Sequence, residues 1–177
     1  MGDEKSLENY VFGSKRGFAI IKYAGIFDFA DLIARIKKWS AQRYYGIGEK
    51  EHAEAVKPSG KDILFEFEGE RKVTDYVKFE VIVKITILRL IDVIRETSEG
   101  KERKQQAEVE VGIKAWMVKN YKDTFKSEDK SKIQEFFRQI YERFIAKRQL
   151  DNLKGKLVAE VLALGDEIKS SLNVPRK

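Results

Sequence analysis

The chain has 177 residues, of which 42% are hydrophobic and 36% are charged, and 35 basic against 29 acidic side chains give a net charge of +6. This length suits one domain with its own core, and the small basic excess favours anionic partners only weakly. The absence of cysteine excludes disulfide bonds, zinc–thiolate sites and thiol nucleophiles.

The polar N-terminal stretch predicts a flexible tail over residues 1–16, followed by a single α+β domain over residues 17–177. The start, Met1 to Lys5, lacks the apolar segment of a signal peptide. No apolar run approaches the roughly 18 residues of a membrane-spanning helix. We therefore expect a cytoplasmic protein without a membrane span.

The first predicted elements are a strand and a helix. A short apolar run from Phe18 to Ala24 suits a strand that ends at Gly25. Asp28 suits the N-cap of a helix, which we expect to end near Tyr44-Tyr45-Gly46 with Gly46 in the left-handed conformation. The helix is indicated by apolar residues at helical spacing, namely Phe29, Leu32, Ile33, Ile36 and Trp39.

The next segments predict strands joined by a turn. Glu49 to Lys57 is a weak strand candidate, and Pro58-Ser59-Gly60 forms a turn signal. From Ile63 to Glu70, apolar and acidic residues alternate, which is typical of a half-buried strand.

A long hairpin is the clearest pattern in the chain. Apolar residues occupy the odd-numbered positions almost throughout two runs, on either side of a polar stretch over residues 96–104. Side chains of a strand alternate between two faces, so this pattern predicts an antiparallel hairpin that pairs odd residues with odd residues, with the odd face in the core. The two runs are Val77, Phe79, Val81, Val83, Ile85, Ile87, Ile91 and Val93, and then Ala107, Val109, Val111, Ile113, Ala115 and Met117.

The C-terminal part predicts a long amphipathic helix. Its apolar stripe begins near Ile133, and residues 150–172 form an amphipathic extension without proline. Either one helix runs to about Leu172, or it breaks near Asn152–Lys156. We favour a break or kink, because a single helix of that length would overhang a domain of this size. The fold class is therefore α+β, in the order β-α-β-β-β-β-α. We expect an antiparallel sheet of about five strands, an early helix and a long C-terminal helix packed on one face.

The even-numbered face of the hairpin is more apolar than a free surface requires. The chain's own C-terminal helix or N-terminal strand, a partner subunit or solvent are the three alternatives for what covers it. The residues concerned form a candidate interaction surface of Ile82, Leu88, Leu90 and Trp116.

The sequence holds no catalytic constellation. Its single histidine, His52, excludes a Ser-His-Asp triad and a polyhistidine metal site. Glu66, Glu68 and Glu70 lie on one strand face, but neighbouring Lys and Arg residues predict cross-strand ion pairs there. We expect no enzyme activity, no cofactor and no metal.

Two other binding functions are open. Arg35, Lys38 and Arg43 form a candidate basic patch, interleaved with aromatic residues, for weak binding of single-stranded nucleic acid. A curved sheet that grips a C-terminal helix is also how several carriers of lipids and steroids enclose a small hydrophobic ligand. For the basic patch, the alternative is a charged face in contact with solvent. For the carrier, the alternative is that the aromatic residues simply fill the core.

Several motifs follow one another in a set order. They are Ile26-Phe27 with the helix of Leu32, Ile36 and Trp39, then Asp75-Tyr76, Leu90 to Val93, Ala107 to Trp116, Asn120-Tyr121, Phe137 to Lys147 and an amphipathic tail to Leu172. That order resembles a group of small uncharacterised archaeal proteins from lineages with reduced genomes. The resemblance covers residues 17–172 and departs at Tyr44-Tyr45-Gly46, where a Gly-Tyr order is expected, and over residues 123–131. It implies an archaeal cytoplasmic α+β protein of unknown function and no site residues.

These observations favour a non-enzymatic binding protein that uses the second sheet face or the C-terminal helix. A protein partner or self-association is the first expectation. A small hydrophobic ligand and single-stranded nucleic acid are the alternatives.

Overall fold

A computed structural model describes residues 9–12, 18–97, 100–119, 121 and 147–174. It confirms the predicted α+β class and element order. The elements are β1 (Asn9–Phe12), β2 (Ala19–Phe27), α1 (Phe29–Gln42), β3 (Gly46–Lys57), β4 (Gly60–Lys72), β5 (Val77–Thr97), β6 (Gly100–Lys119) and α2 (Lys147–Ser171).

The strands form one antiparallel sheet that is five positions wide. β3, β4, β5 and β6 follow one another as a meander, and β1 and β2 lie end to end along the free side of β6. Residues 9–12, predicted as part of a flexible tail, are thus a strand that pairs with Met117, Trp116 and Ala115. The remainder of the predicted tail lies outside the described residues.

The odd face of the sheet carries the core, as predicted. The hairpin pairs odd residues with odd residues, for example Val83 with Ile113 and Ile87 with Val109. Both helices lie on this face, because the burial of apolar side chains from the sheet and the helices in one layer excludes water from both. α2 contributes a buried stripe consisting of Leu150, Leu157, Val161, Leu164, Ile168 and Leu172.

Asp28 is the N-cap of α1, as its sequence position predicts. Its carboxylate accepts a hydrogen bond of 3.0 Å from the backbone N–H of Asp31, and its second oxygen lies 3.1 Å from the Lys104 ammonium. The backbone hydrogen bond and the Lys104 charge hold the pKa of Asp28 below its ordinary value.

The end of α1 differs from the prediction. Tyr44, with φ of 58°, adopts the left-handed conformation that was expected at Gly46. The backbone N–H of Tyr45 donates to the Ser40 carbonyl at 3.0 Å, and the Tyr45 ring stacks on Trp39 with centroids 5.1 Å apart. The chain must therefore turn at Tyr44 to bring Tyr45 into the core.

α2 runs unbroken through Asn152–Lys156, so the predicted break is wrong. Gly155 is exposed and has open space around it, so it neither packs nor obstructs. The apolar stripe on either side is held against the core, and such tertiary packing outweighs the low helix propensity of one glycine. The predicted helical segment before Lys147 lies outside the described residues.

A bulge in β5 changes which residues face the core. Leu88 pairs with Glu108, but the next pair joins Ile91 to Gln106, so Arg89 and Leu90 together oppose a single residue of β6. Arg89 has φ of 56°, and its backbone N–H donates to the Asp62 carboxylate at 2.9 Å.

The bulge corrects the predicted assignment of side chains to faces. Beyond it, Leu90 packs against the core, although its even number predicted the opposite face. Ile91 and Val93 were predicted on the core face, but their register with β6 places them on the even face. A shift of one position in a strand moves every later side chain to the other face.

A substitution at Gly60 tests the bulge. Gly60 has φ of +127°, and an added Cβ would lie 2.8 Å from the carbonyl carbon of Arg89. We expect Gly60→Ala to lower the free energy of unfolding by about 1–3 kcal/mol, measured by urea denaturation, because the backbone must shift. Gly155→Ala is the control, and should raise it by up to about 1 kcal/mol. A Gly60→Ala variant as stable as the original protein would contradict the predicted contact.

A buried ion pair ties α2 to the sheet. The Arg71 Nη2 atom of β4 lies 2.9 Å from both carboxylate oxygens of Glu160 in α2, and these side chains are only 13% and 12% exposed. Arg71 also donates to the Arg43 carbonyl at 2.8 Å, and the Glu160 carboxylate accepts a hydrogen bond of 3.0 Å from the Tyr45 hydroxyl. Burial and the Glu160 charge raise the pKa of Tyr45 above its ordinary value. The Trp39 indole completes the cluster by donating to the Glu160 carbonyl at 3.0 Å.

Removing one member of this pair should be strongly destabilising. We expect Glu160→Ala to lower the free energy of unfolding by about 3–5 kcal/mol, because the Arg71 charge stays buried without its partner. The double variant Arg71→Met/Glu160→Leu should recover most of that loss, since no charge is then desolvated. Urea denaturation of the three proteins measures both values. A loss of less than about 1 kcal/mol in Glu160→Ala would show that the pair behaves as a surface pair.

Candidate interaction surface

The structure separates the four residues of the predicted interaction surface. Leu88 is 41% exposed on the even face, and Ile82 is half-buried on the same face. Leu90 is turned towards the core by the bulge, and Trp116 is only 8% exposed. Only Leu88 therefore keeps the predicted role of an exposed apolar residue on the second sheet face.

A different group of apolar side chains is exposed at the distal end of the even face, the end nearest the turn between β5 and β6. Ile26 of β2 and Ile91 of β5 flank Gln106 of β6 on its two sides. Leu88 precedes Ile91 across the bulge, and Ile20 extends the group along β2. We name this group the distal apolar surface: Ile20, Ile26, Leu88 and Ile91, which are 51%, 38%, 41% and 45% exposed.

An open groove of about 510 Å³ crosses this part of the sheet. Ala24 lines it on the β2 side, and Thr86 and Leu88 line it on the β5 side. The small Ala24 side chain leaves room between the longer side chains of β2. Leu88 is the member of the distal apolar surface that lines this groove, together with Glu108 and Glu110 of β6.

The charges around the groove balance. Lys22 lies 3.0 Å from Glu110, and Arg89 pairs with Glu108. All four side chains are more than a third exposed, so each pair contributes little to stability. This surface has no net charge from these pairs, which favours a largely apolar ligand over a polyanion.

The proximal part of the even face contains the expected cross-strand ion pairs. Lys50 and Lys78 each lie between two carboxylates, beside a second groove of about 370 Å³. The hydrogen bond from Lys78 holds the pKa of Glu70 below its ordinary value, whereas a general acid needs a raised pKa. The carboxylates are Glu66 and Glu68 around Lys50, and Glu70 and Glu80 around Lys78.

His52 lies on the edge strand β3. Its ring stacks on Phe65 with centroids 4.2 Å apart, and its nitrogens lie 3.1 Å from Glu54 and 3.4 Å from Glu49. Among the residues that the structure describes, no group of three or more His, Asp or Glu side chains is arranged to hold a metal ion.

The candidate basic patch is divided between different contacts. Arg35 binds two carboxylates, Asp31 at 2.7 Å and Glu167 at 3.0 Å, so its charge is compensated. Lys38 is exposed, and the Arg43 guanidinium lies over the Trp39 ring, 5.3 Å from its centroid. Trp39 is buried, so its faces are not open to a stacking base.

The apolar stripe of α2 is buried against its own sheet. Leu157, Val161, Leu164 and Ile168 are fully buried, and the exposed Leu162 lies elsewhere on the helix. Two of the grooves described by the structure lie on the even face. A third, of about 810 Å³, lies at the distal end beside Ile94 and Asn173. None of these three lies between the buried stripe and the sheet, where a carrier of the expected type would enclose its ligand.

Neither helix in the described ranges combines the length and apolar character needed to cross a membrane. No protein-family model, curated protein or solved structure matches the chain. The inference of function therefore depends on the surfaces of this molecule alone.

The reversed facing of side chains beyond the bulge can be tested by alanine substitution. We expect Leu90→Ala to lower the free energy of unfolding by about 1–3 kcal/mol, because Leu90 packs against the core. Leu88→Ala and Ile91→Ala should each change it by less than about 1 kcal/mol, since both side chains are partly in water. Urea denaturation under identical conditions compares the three variants. A larger loss for Ile91→Ala than for Leu90→Ala would show that the alternation continues through Arg89.

Proposed function

We propose that the protein is a non-enzymatic interaction module that binds another protein through the distal apolar surface. The observation that carries this proposal is the clustering of exposed apolar side chains. Eight large apolar side chains are exposed in the described residues, and four of them form this one surface. Single exposed apolar residues are ordinary, but several on one face of a sheet favour a binding site.

The chemistry of the surface favours a protein segment as the partner. Its two apolar rows, on β2 and β5, are separated by the one strand β6, or about 10 Å. Gln106, Glu108 and Glu110 of β6 lie between these rows. A helix or an extended segment that directs apolar side chains to the two rows and polar groups between them fits this arrangement, since protein interfaces combine apolar and polar contacts. A nucleic acid requires a basic groove, which the balanced charges here do not provide.

The experiment compares a surface variant with a matched control. Leu88→Lys/Ile91→Lys replaces two apolar side chains of the surface, and Leu162→Lys makes the same kind of change on the exposed side of α2. Each protein is immobilised, exposed to extract of the source cells and analysed by quantitative mass spectrometry. We expect a specific partner to be retained by the original protein and by Leu162→Lys but lost, at least about tenfold, from the double variant, because charges at the centre of an interface are costly.

Recovery of the same set of proteins with all three baits would refute the proposal. Circular dichroism of each bait confirms that it is folded, so that loss of binding is not loss of structure. A retained partner should then be purified and its contacts mapped by NMR chemical-shift changes. Those changes are expected at Ile26, Leu88 and Ile91.

A further inference from the structure

Among the described residues, β2 forms one edge of the sheet. In the part of the chain that the structure describes, β2 pairs with β6 alone, through nine consecutive residue pairs without a bulge. It contains no proline and a single charged side chain, Lys22. Every second residue of such a strand directs its backbone N–H and C=O away from the neighbouring strand, where they can pair with another chain.

The opposite edge of the same sheet is protected. β3 carries a bulge between Glu49 and Glu51 and is exposed along nearly its whole length. A bulge and a row of charges are the features by which natural sheets prevent pairing between edges. Its charged residues are Glu49, Lys50, Glu51, Glu54 and Lys57. Among the described residues, β2 has neither a bulge nor a row of charges, and one of its carbonyls, that of Ile26, accepts a hydrogen bond of 2.8 Å from the Tyr23 hydroxyl.

We propose that two copies of this chain associate by antiparallel pairing of their β2 strands around a two-fold axis at Tyr23. This register places Ile20 opposite Ile26 of the second copy, on the even face. Both are exposed in the single chain, so pairing removes apolar surface from water twice by symmetry. An interface of this kind is self-complementary, as two-fold symmetry requires.

The position of Lys22 selects this register over its neighbours. Centred on Tyr23, the pairing places Lys22 opposite Ala24 of the second copy. Within its own chain, that alanine pairs with Glu108 of β6. Seen from Lys22 of the first copy, the Glu108 carboxylate therefore lies behind the small Ala24 side chain. Centring on Lys22 instead would oppose the two lysines directly, and centring on Ala24 would place Lys22 opposite Ile26 and leave Ile20 without a partner in β2. An axis between two residues would set even residues against odd ones.

The dimer would join two sheets into one and keep both even faces on the same side. Ile20 of one copy then lies beside Ile26 of the other, which connects the two distal apolar surfaces. Leu88 and Ile91 lie two strands away from the axis and take no part in the pairing. The dimer is therefore separable from the proposed binding of a protein partner.

Charge substitutions at position 24 test the register. Sedimentation velocity of the full chain, from low micromolar to several hundred micromolar concentration, should show the original protein associating beyond its monomer mass of 20.6 kDa. Ala24→Lys should weaken the dimer about two- to thirtyfold, because symmetry creates two like-charged pairs with Lys22. Ala24→Glu should strengthen it by a similar factor, and Lys22→Glu/Ala24→Lys should restore the original association.

The same substitutions should change the folding stability of the single chain in the opposite direction to the stability of the dimer. Ala24 faces Glu108 within the monomer, so Ala24→Lys should favour folding slightly and Ala24→Glu should oppose it. A weaker dimer in Ala24→Lys with undiminished resistance to urea is therefore not a folding defect. Val56→Lys, on the protected edge strand, is the control and should leave association unchanged.

A strictly monomeric protein over the whole concentration range would overturn the inference. So would a dimer that Ala24→Lys and Ala24→Glu leave equally stable, because the axis would then lie elsewhere. Leu88→Lys/Ile91→Lys should still dimerise. If that variant dimerises but no longer captures the partner, both proposals are supported. If the original protein captures a partner but is strictly monomeric, the proposed function stands and the dimer is refuted.

Discussion

The alternation of side chains along β5, and the point at which it reverses, determines both faces of this molecule. From Val77 to Ile87 the odd residues build the core. The hydrogen bond between Asp62 and the backbone of Arg89 then holds a bulge, and Gly60 gives the chain room to approach it. Because the register beyond the bulge is inverted, Leu90 packs against the core, and Ile91 is exposed on the even face, across Gln106 from Ile26.

The largely buried ion pair between Arg71 and Glu160 joins β4 to α2. The end of α1 belongs to the same cluster, because the Tyr45 hydroxyl donates to the Glu160 carboxylate and the Arg43 carbonyl accepts from Arg71. α2 thereby buries its apolar stripe on the odd face. Both described helices are engaged there, which leaves the even face as the surface on which β2 and β5 present exposed apolar side chains.

The two sheet edges differ for a physical reason that also bears on function. β3 combines a bulge with charges of both signs, which oppose pairing with another strand. β2 keeps an unbroken register with β6 and has a single charged residue, and its exposed isoleucines lie on the same face as Leu88 and Ile91. Binding through a face and association through an edge share Ile20 and Ile26. They remain separable at Leu88 and Ile91, which lie two strands away from the proposed dimer axis.

The periodic features could be predicted from the sequence. Alternation in the hairpin, the cap at Asp28 and the stripe of α2 each depend on neighbours within a few residues, so they are readable from spacing. The bulge depends on a hydrogen bond between residues 27 positions apart, and the sequence hint was only an arginine in the odd series at position 89. The turn at Tyr44 likewise follows from stacking in the core. Tertiary structure alone decided which apolar residues reach solvent, because a single long-range contact sets the facing of every residue after it.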